Sequence, residues 1–126
     1  MPQDHYFGHG RVAYVQIPAA DPRASAAFYQ QVFGWSVRDN DRPDQVSFTD
    51  ATGDMIGSWT TTKAPSADGV GVTLHIYVHG LDATLARLVA EGAEIVKEPY
   101  PEGDLWVATF RDPAGNVVGI WQRAPR

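Results

Sequence analysis

Apolar and polar positions alternate along this chain in short runs, interrupted by two stretches with helical spacing. Residues 11–17 are apolar and read as a strand. Asp21-Pro22 then places an N-capping side chain before a proline at the first helical position, and Ala24, Ala27, Phe28, Val32 and Phe33 follow near helical spacing until Gly34. Residues 35–38, 45–49 and 55–61 read as three further strands, the last two joined by a turn at residues 50–53. Residues 62–71 are rich in Pro, Ser, Gly and Ala and read as a linker. The programme then runs again. Residues 72–78 form a strand, and Asp82 caps a helix carrying Leu85, Leu88 and Val89 that stops at Gly92. Residues 94–97, 106–110 and 117–122 are strands, the last two joined by a turn at residues 112–115.

The two halves also match residue by residue. Phe48, Asp50, Gly53, Gly57 and Trp59 recur in register as Phe110, Asp112, Gly115, Gly119 and Trp121. Average composition would give roughly one match over such a window. One supersecondary unit is therefore built twice. The predicted class is α+β: two βαβββ modules, about residues 11–61 and 72–122, forming a curved open barrel of mixed sheet with one main helix each. A helix on one sheet face leaves the other face free to line a cleft.

Period 2 assigns the faces. Ala13, Val15 and Ile17 oppose Val12, Tyr14 and Gln16; Leu74, Ile76 and Val78 oppose Thr73, His75 and Tyr77. Ile56 and Ser58 oppose Met55, Gly57 and Trp59; Val118 and Ile120 oppose Val117, Gly119 and Trp121. The second set in each pair mixes aromatic, hydroxyl, amide and imidazole groups around two glycines, as ligand pockets do. The predicted ligand-binding residues are Tyr14, Gln16, Met55, Trp59, Thr73, His75, Tyr77 and Trp121. Trp59 and Trp121 could sandwich a flat ligand, close the barrel ends or form a dimer contact.

Composition narrows the class. A chain of 126 residues suggests one domain, 1–126, and 44% hydrophobic with 20% charged residues is ordinary for a globular protein. A formal net charge of −5 argues against nucleic acid and anionic membranes as partners. The chain has no cysteine, which excludes disulfides and thiolate chemistry. No apolar run approaches the ~20 residues of a membrane span. Residues 1–10 lack the apolar core of a signal peptide, so the expected location is cytoplasmic.

Phe28-Tyr29, Phe33-Gly34-Trp35 and Asp112-Pro113-Ala114-Gly115-Asn116, in this order of elements, resemble the vicinal oxygen chelate superfamily. That group includes lactoylglutathione lyase, extradiol dioxygenases and bleomycin- and mitomycin-binding resistance proteins. The resemblance covers nearly everything after Gly10. It is nearest to the glyoxalase-like branch, through Ile17-Pro18-Ala19-Ala20-Asp21-Pro22 and Gly119-Ile120-Trp121-Gln122. It also implies a two-fold homodimer.

Metal-using members of the superfamily take one ligand from the first and one from the last strand of each module. The resemblance places those positions at Val12, Gly57, Thr73 and Gly119, none of them a strong ligand. A slip along the first strands brings in Tyr14 and His75, with a single good donor. No metal and no cofactor is expected. His75 and His79, four apart in a strand, are about 13 Å apart and cannot share an ion. His5 and His9 have i, i+4 spacing, but the Tyr, Phe and Gly around them do not suggest a helix, and an arm is expected there.

The expected function is a metal-independent protein that binds a planar or aromatic small molecule. The alternative is a metal-independent lyase or isomerase with His75 as proton-transfer residue beside Tyr14 and Tyr77, since imidazoles in general exchange protons near neutral pH. A metal-dependent glyoxalase or dioxygenase requires ligands at other positions.

Overall fold

Each repeat of the chain closes its own four-stranded sheet in the computed structural model, which describes residues 6–38, 42, 44–65 and 71–126. His5 and part of the linker lie outside the described residues. The chain divides into two compact units, Met1–Ala64 and Pro65–Arg126.

In the first unit, β1 (Tyr14–Pro18) is followed by α1 (Pro22–Phe33), β2 (Ser36–Arg38), β3 (Gln45–Thr49) and β4 (Ile56–Thr60). The sheet order is β1-β4-β3-β2, with β1 parallel to β4 and the other pairs antiparallel. The start of α1 is as the sequence predicts. Asp21 accepts a hydrogen bond from the Ala24 amide at 3.3 Å, which satisfies one orphan N–H of the first turn. Gly34 ends the helix at φ 72°, a left-handed conformation that glycine adopts without strain.

The apolar face of α1 meets an aromatic cluster. Tyr29 lies 4.7 Å from Trp35 and 5.7 Å from Trp59, and Phe48 lies 4.5 Å from Trp59 and 4.7 Å from Trp35, centroid to centroid. Aromatic faces and edges packed at these separations add to the burial of their large apolar area.

The second unit repeats the order with β5 (His75–Tyr77), α2 (Leu81–Ala90), β6 (Glu94–Glu102), β7 (Leu105–Arg111) and β8 (Val117–Arg123). Its sheet order is β5-β8-β7-β6, again with one parallel pair, β5 with β8. Leu81 and Leu88 of α2 are buried, as are Ala108, Phe110, Val118 and Ile120 on one face of the sheet. The α+β class and the doubled βαβββ order thus hold.

Three local expectations are corrected. The predicted strands 11–17 and 72–78 are shorter, and Val12, Val72 and Thr73 stand exposed before β1 and β5. Asp82 does not cap α2. The helix starts two residues earlier than that cap implies, Gly80 at its N-cap has no side chain to offer, and Gln122 Oε1 accepts the Leu81 amide at 2.6 Å instead. Residues 99–103, with Pro99 and Pro101, read as a loop in the sequence, yet β6 runs through Glu102. β6 is an edge strand, where prolines are tolerated, and its pairing with β7 shifts register on either side of Lys97.

Candidate functional site

The pairing of the second unit arranges the side chains facing away from α2 in rows across all four strands. The first helix-facing row is marked by Gln122, whose side chain meets the start of α2. Ile76, Ile120 and Ala108 pair in succession on that same side. The intervening residues therefore face away from α2.

One row of that opposite face is Tyr77, Trp121, Val107 and Tyr100, on β5, β8, β7 and β6. The Tyr77 ring meets Trp121 edge to face at 4.7 Å, and Tyr77 retains 41% of its exposure. His79, just beyond β5, stands 5.7 Å from Tyr77. The next row is His75, Gly119, Thr109 and Lys97. Lys97 Nζ lies 4.6 Å from the centroid of the Tyr100 ring, so it leans back over the aromatic row. A third row holds Val117, Arg111 and Glu94, where Arg111 Nε and Glu94 Oε1 are 3.3 Å apart.

Gly119 makes the second row flat. A Cβ there would collide with His75 Nδ1 and stand 2.5 Å from His75 Cε1. The imidazole therefore lies where a side chain of β8 would otherwise project. The result is a face with aromatic walls and a few polar groups, buried at Val107 and Gly119 and exposed at His75, Tyr77 and Lys97, the chemistry of a small-molecule platform.

Of the predicted binding residues, His75, Tyr77 and Trp121 share this face. Thr73 lies just before β5. In the first unit, Tyr14 and Gln16 face away from α1, and Tyr14 Oη donates to Ser58 Oγ at 3.1 Å. Trp59 and Met55 depart from the predicted face. Trp59 is fully buried in the cluster with Tyr29, Trp35 and Phe48, and its Nε1 has no hydrogen-bond partner. Met55 precedes β4, where its carbonyl accepts the Asp50 amide at 2.9 Å. The strand β4 thus turns Ile56 and the buried Ser58 to the side of Tyr14 and Gln16, opposite to the reading from alternation. Val107, Thr109, Lys97 and Tyr100 join the site without having been singled out. Tyr100 is hidden in sequence because it sits between two prolines.

The four positions implied for a metal do not fit one. Gly57 has no room for a ligand side chain, since a Cβ there would collide with the Val15 carbonyl oxygen and stand 2.6 Å from Phe48 Cζ. Gly119 carries no side chain and has the His75 ring over it, Val12 offers no donor, and Thr73 offers only a neutral hydroxyl. Among the described residues, no three His, Asp or Glu side chains gather as a metal site. Likewise, no helix among them is long and apolar enough to cross a membrane.

Known proteins resemble this chain over nearly its full length. The family described as a glyoxalase-like domain matches residues 14–120. The putative glyoxylase CFP32 of Mycobacterium bovis is 26% identical over 128 residues, covering 97% of this chain and 49% of that protein. The anthracycline biosynthesis protein DnrV of Streptomyces peucetius is 25% identical, covering 93% of this chain and 48% of that protein. This chain therefore spans about half the length of the curated relatives it matches. A crystal structure of a glyoxalase/bleomycin resistance protein/dioxygenase family enzyme from Burkholderia phytofirmans PsJN superposes with a TM-score of 0.74 at 26% identity, covering 91% of this chain and all of that one.

Proposed function

The chain belongs to the glyoxalase-like domain family, and from that membership we propose that it is a metal-independent protein binding a planar or aromatic organic molecule. The observation that carries the reading is the row of Tyr77, Trp121, Val107 and Tyr100 across one sheet face. Four neighbouring strands about 4.8 Å apart give a row roughly 14 Å long, enough for a fused-ring ligand. Aromatic rings bind such a molecule through area and favourable ring geometry. The relative DnrV, named for anthracycline biosynthesis, supports a ligand of this kind.

Metal independence rests on the donor set. Two glycines without a donor, a valine and a neutral threonine hydroxyl leave a divalent ion without strong ligands at the four implied positions. Within this reading the protein acts in the cytoplasm as a two-fold homodimer, which sedimentation at several concentrations tests. Turnover is not required by the site. Tyr14 Oη is engaged with Ser58, and His75 and Tyr77 suffice as contacts for a bound molecule.

Calorimetric titration with anthraquinone-2-carboxamide tests the reading. We expect binding that survives exhaustive chelation and weakens by about tenfold in Trp121→Ala, the scale of one aromatic contact. Binding that vanishes on chelation and returns with a divalent ion would overturn it. Equal affinity of Trp121→Ala and the parent chain would remove this face as the site.

A further inference from the structure

The charges on the same face say more about the ligand. Besides the Arg111–Glu94 pair, the strands place Lys97, Arg123 and Glu102 there. Arg123 and Glu102 flank Leu105 in the row beyond Tyr100, two strands and roughly 10 Å apart. Three cations thus face two carboxylates, and the face is net positive in a chain whose net charge is −5. Lys97 is the cation of this face that leans over the aromatic row. Among the described residues its interaction is with the Tyr100 ring alone, a contact that leaves the ammonium able to take an anion. His75, in the same row, makes no hydrogen bond among the described residues, and its ring lies over Gly119 toward the same surface.

We infer that the ligand of this face is a planar aromatic acid, with its rings on Trp121 and Tyr100 and its carboxylate, or an equivalent anionic oxygen, at Lys97. This inference rests on the binding reading above and adds the charge of the ligand to it. The geometry suits such a molecule. Lys97 stems from the row about 7 Å from the aromatic row and leans back over Tyr100, so its ammonium stands at the edge of the stacking surface. His75 lies at the opposite end of the polar row, where it can donate to a second oxygen on the rings. Thr109, between them, offers a hydroxyl.

Two matched probes, anthraquinone-2-carboxylate and anthraquinone-2-carboxamide, differ in charge and little in shape. Their affinities would be compared by calorimetry for the full chain, Lys97→Met, Lys63→Met and Trp121→Ala. Lys63 and Lys97 are the only two lysines, so each variant changes net charge equally. We expect the carboxylate to bind roughly threefold to fivefold tighter at low salt, as an exposed ion pair allows. That preference is expected to disappear in Lys97→Met and at high salt, and to persist in Lys63→Met. Equal affinity of the two probes, or a preference that Lys63→Met removes as well as Lys97→Met, would overturn the acid while leaving the platform standing if both probes still depend on Trp121. Binding of neither probe would overturn the platform and the acid together.

Discussion

Trp59 and Trp121 hold the same place in the two repeats and face opposite sides of their sheets. Trp59 pairs with Ile17 and Val46 and is fully buried against α1, whereas Trp121 pairs with Tyr77 and Val107 on the face away from α2. The cause is one residue in a hairpin. In the second unit the Asp112 amide bonds to the Asn116 carbonyl, and Phe110 pairs with Val118. In the first, the Asp50 amide bonds to Met55, one residue further on, and Phe48 pairs with Gly57. Since side chains alternate with period 2, a slip of one residue turns every side chain of β4 over.

The two tryptophans should separate stability from binding. Trp59→Ala is expected to cost about 3–5 kcal/mol, the range for removing a large aromatic from a packed core. Trp121→Ala, on a half-buried position, is expected to cost less than about 2 kcal/mol while impairing probe binding. Urea unfolding of both variants, beside the titrations above, decides this. Equal losses of stability would contradict the assignment of faces.

Loop length can be tested as the origin of the slip. Deleting Thr52 makes the first hairpin as short as the second while Phe48 and Gly57 stay partners, because their separation falls to that of Phe110 and Val118. The register of β4 and the place of Trp59 against Tyr29, Trp35 and Phe48 are therefore expected to persist, with unchanged near-ultraviolet circular dichroism and tryptophan emission. Loss of that dichroism and a redder emission would show that β4 slips when its turn is shortened.

The two sheet glycines should respond differently to a methyl group. At Gly57 the new Cβ meets the Val15 carbonyl and the Phe48 ring, both fixed in the core, so Gly57→Ala is expected to cost about 2–3 kcal/mol or more. At Gly119 it meets the exposed His75, which can rotate away, and the expected cost is below about 1 kcal/mol. Combining Gly119→Ala with His75→Ala should recover most of that loss. Thermal unfolding of the three variants measures the difference, and a larger penalty at Gly119 would place His75 more rigidly than its exposure indicates.

Gln122 ties three pieces of backbone together. Its Oε1 accepts from Leu81, and its Nε2 donates to the carbonyls of Arg123 at 3.1 Å and Pro125 at 2.9 Å. Gln122→Leu fits the space but leaves a helix amide without its acceptor. A loss of about 2 kcal/mol is expected, combining a buried orphan donor with a missing cap. A Tm within a degree of the parent would show that water or a neighbour satisfies Leu81 equally well.

The two turn aspartates look alike in sequence and differ in burial. Asp112 is 4% exposed and its Oδ1 accepts from the amides of Ala114 and Asn116 at 3.0 and 2.8 Å. Asp50 makes similar bonds to Asp54 and Met55 in a more solvated turn. Asp112→Ala is therefore expected to cost about 2–4 kcal/mol and Asp50→Ala about half as much, because water replaces the partners of the exposed group. Chemical denaturation of the pair would expose an error if the order were reversed.

Much of this molecule is legible in its residues. The doubled Phe, Asp, Gly, Gly, Trp pattern fixes the doubled βαβββ order, and Asp21-Pro22 with Gly34 fixes both ends of α1, because capping and turn chemistry are local. His75, Tyr77 and Trp121 are placed together correctly by simple alternation, since β5 and β8 pair without irregularity. Other features depend on contacts between distant residues. Trp59 turns inward because of a hairpin one residue longer than its twin, a difference that the matched sequences conceal. Gln122 caps α2 from 41 positions away, where no local signal points to it. Tyr100 and Lys97 reach the aromatic face only through register shifts in an edge strand that tolerates two prolines. Sequence determines which elements form wherever the energy is local; register and facing are decided by which strand each element finds, and a single residue there moves a side chain from one surface to the other.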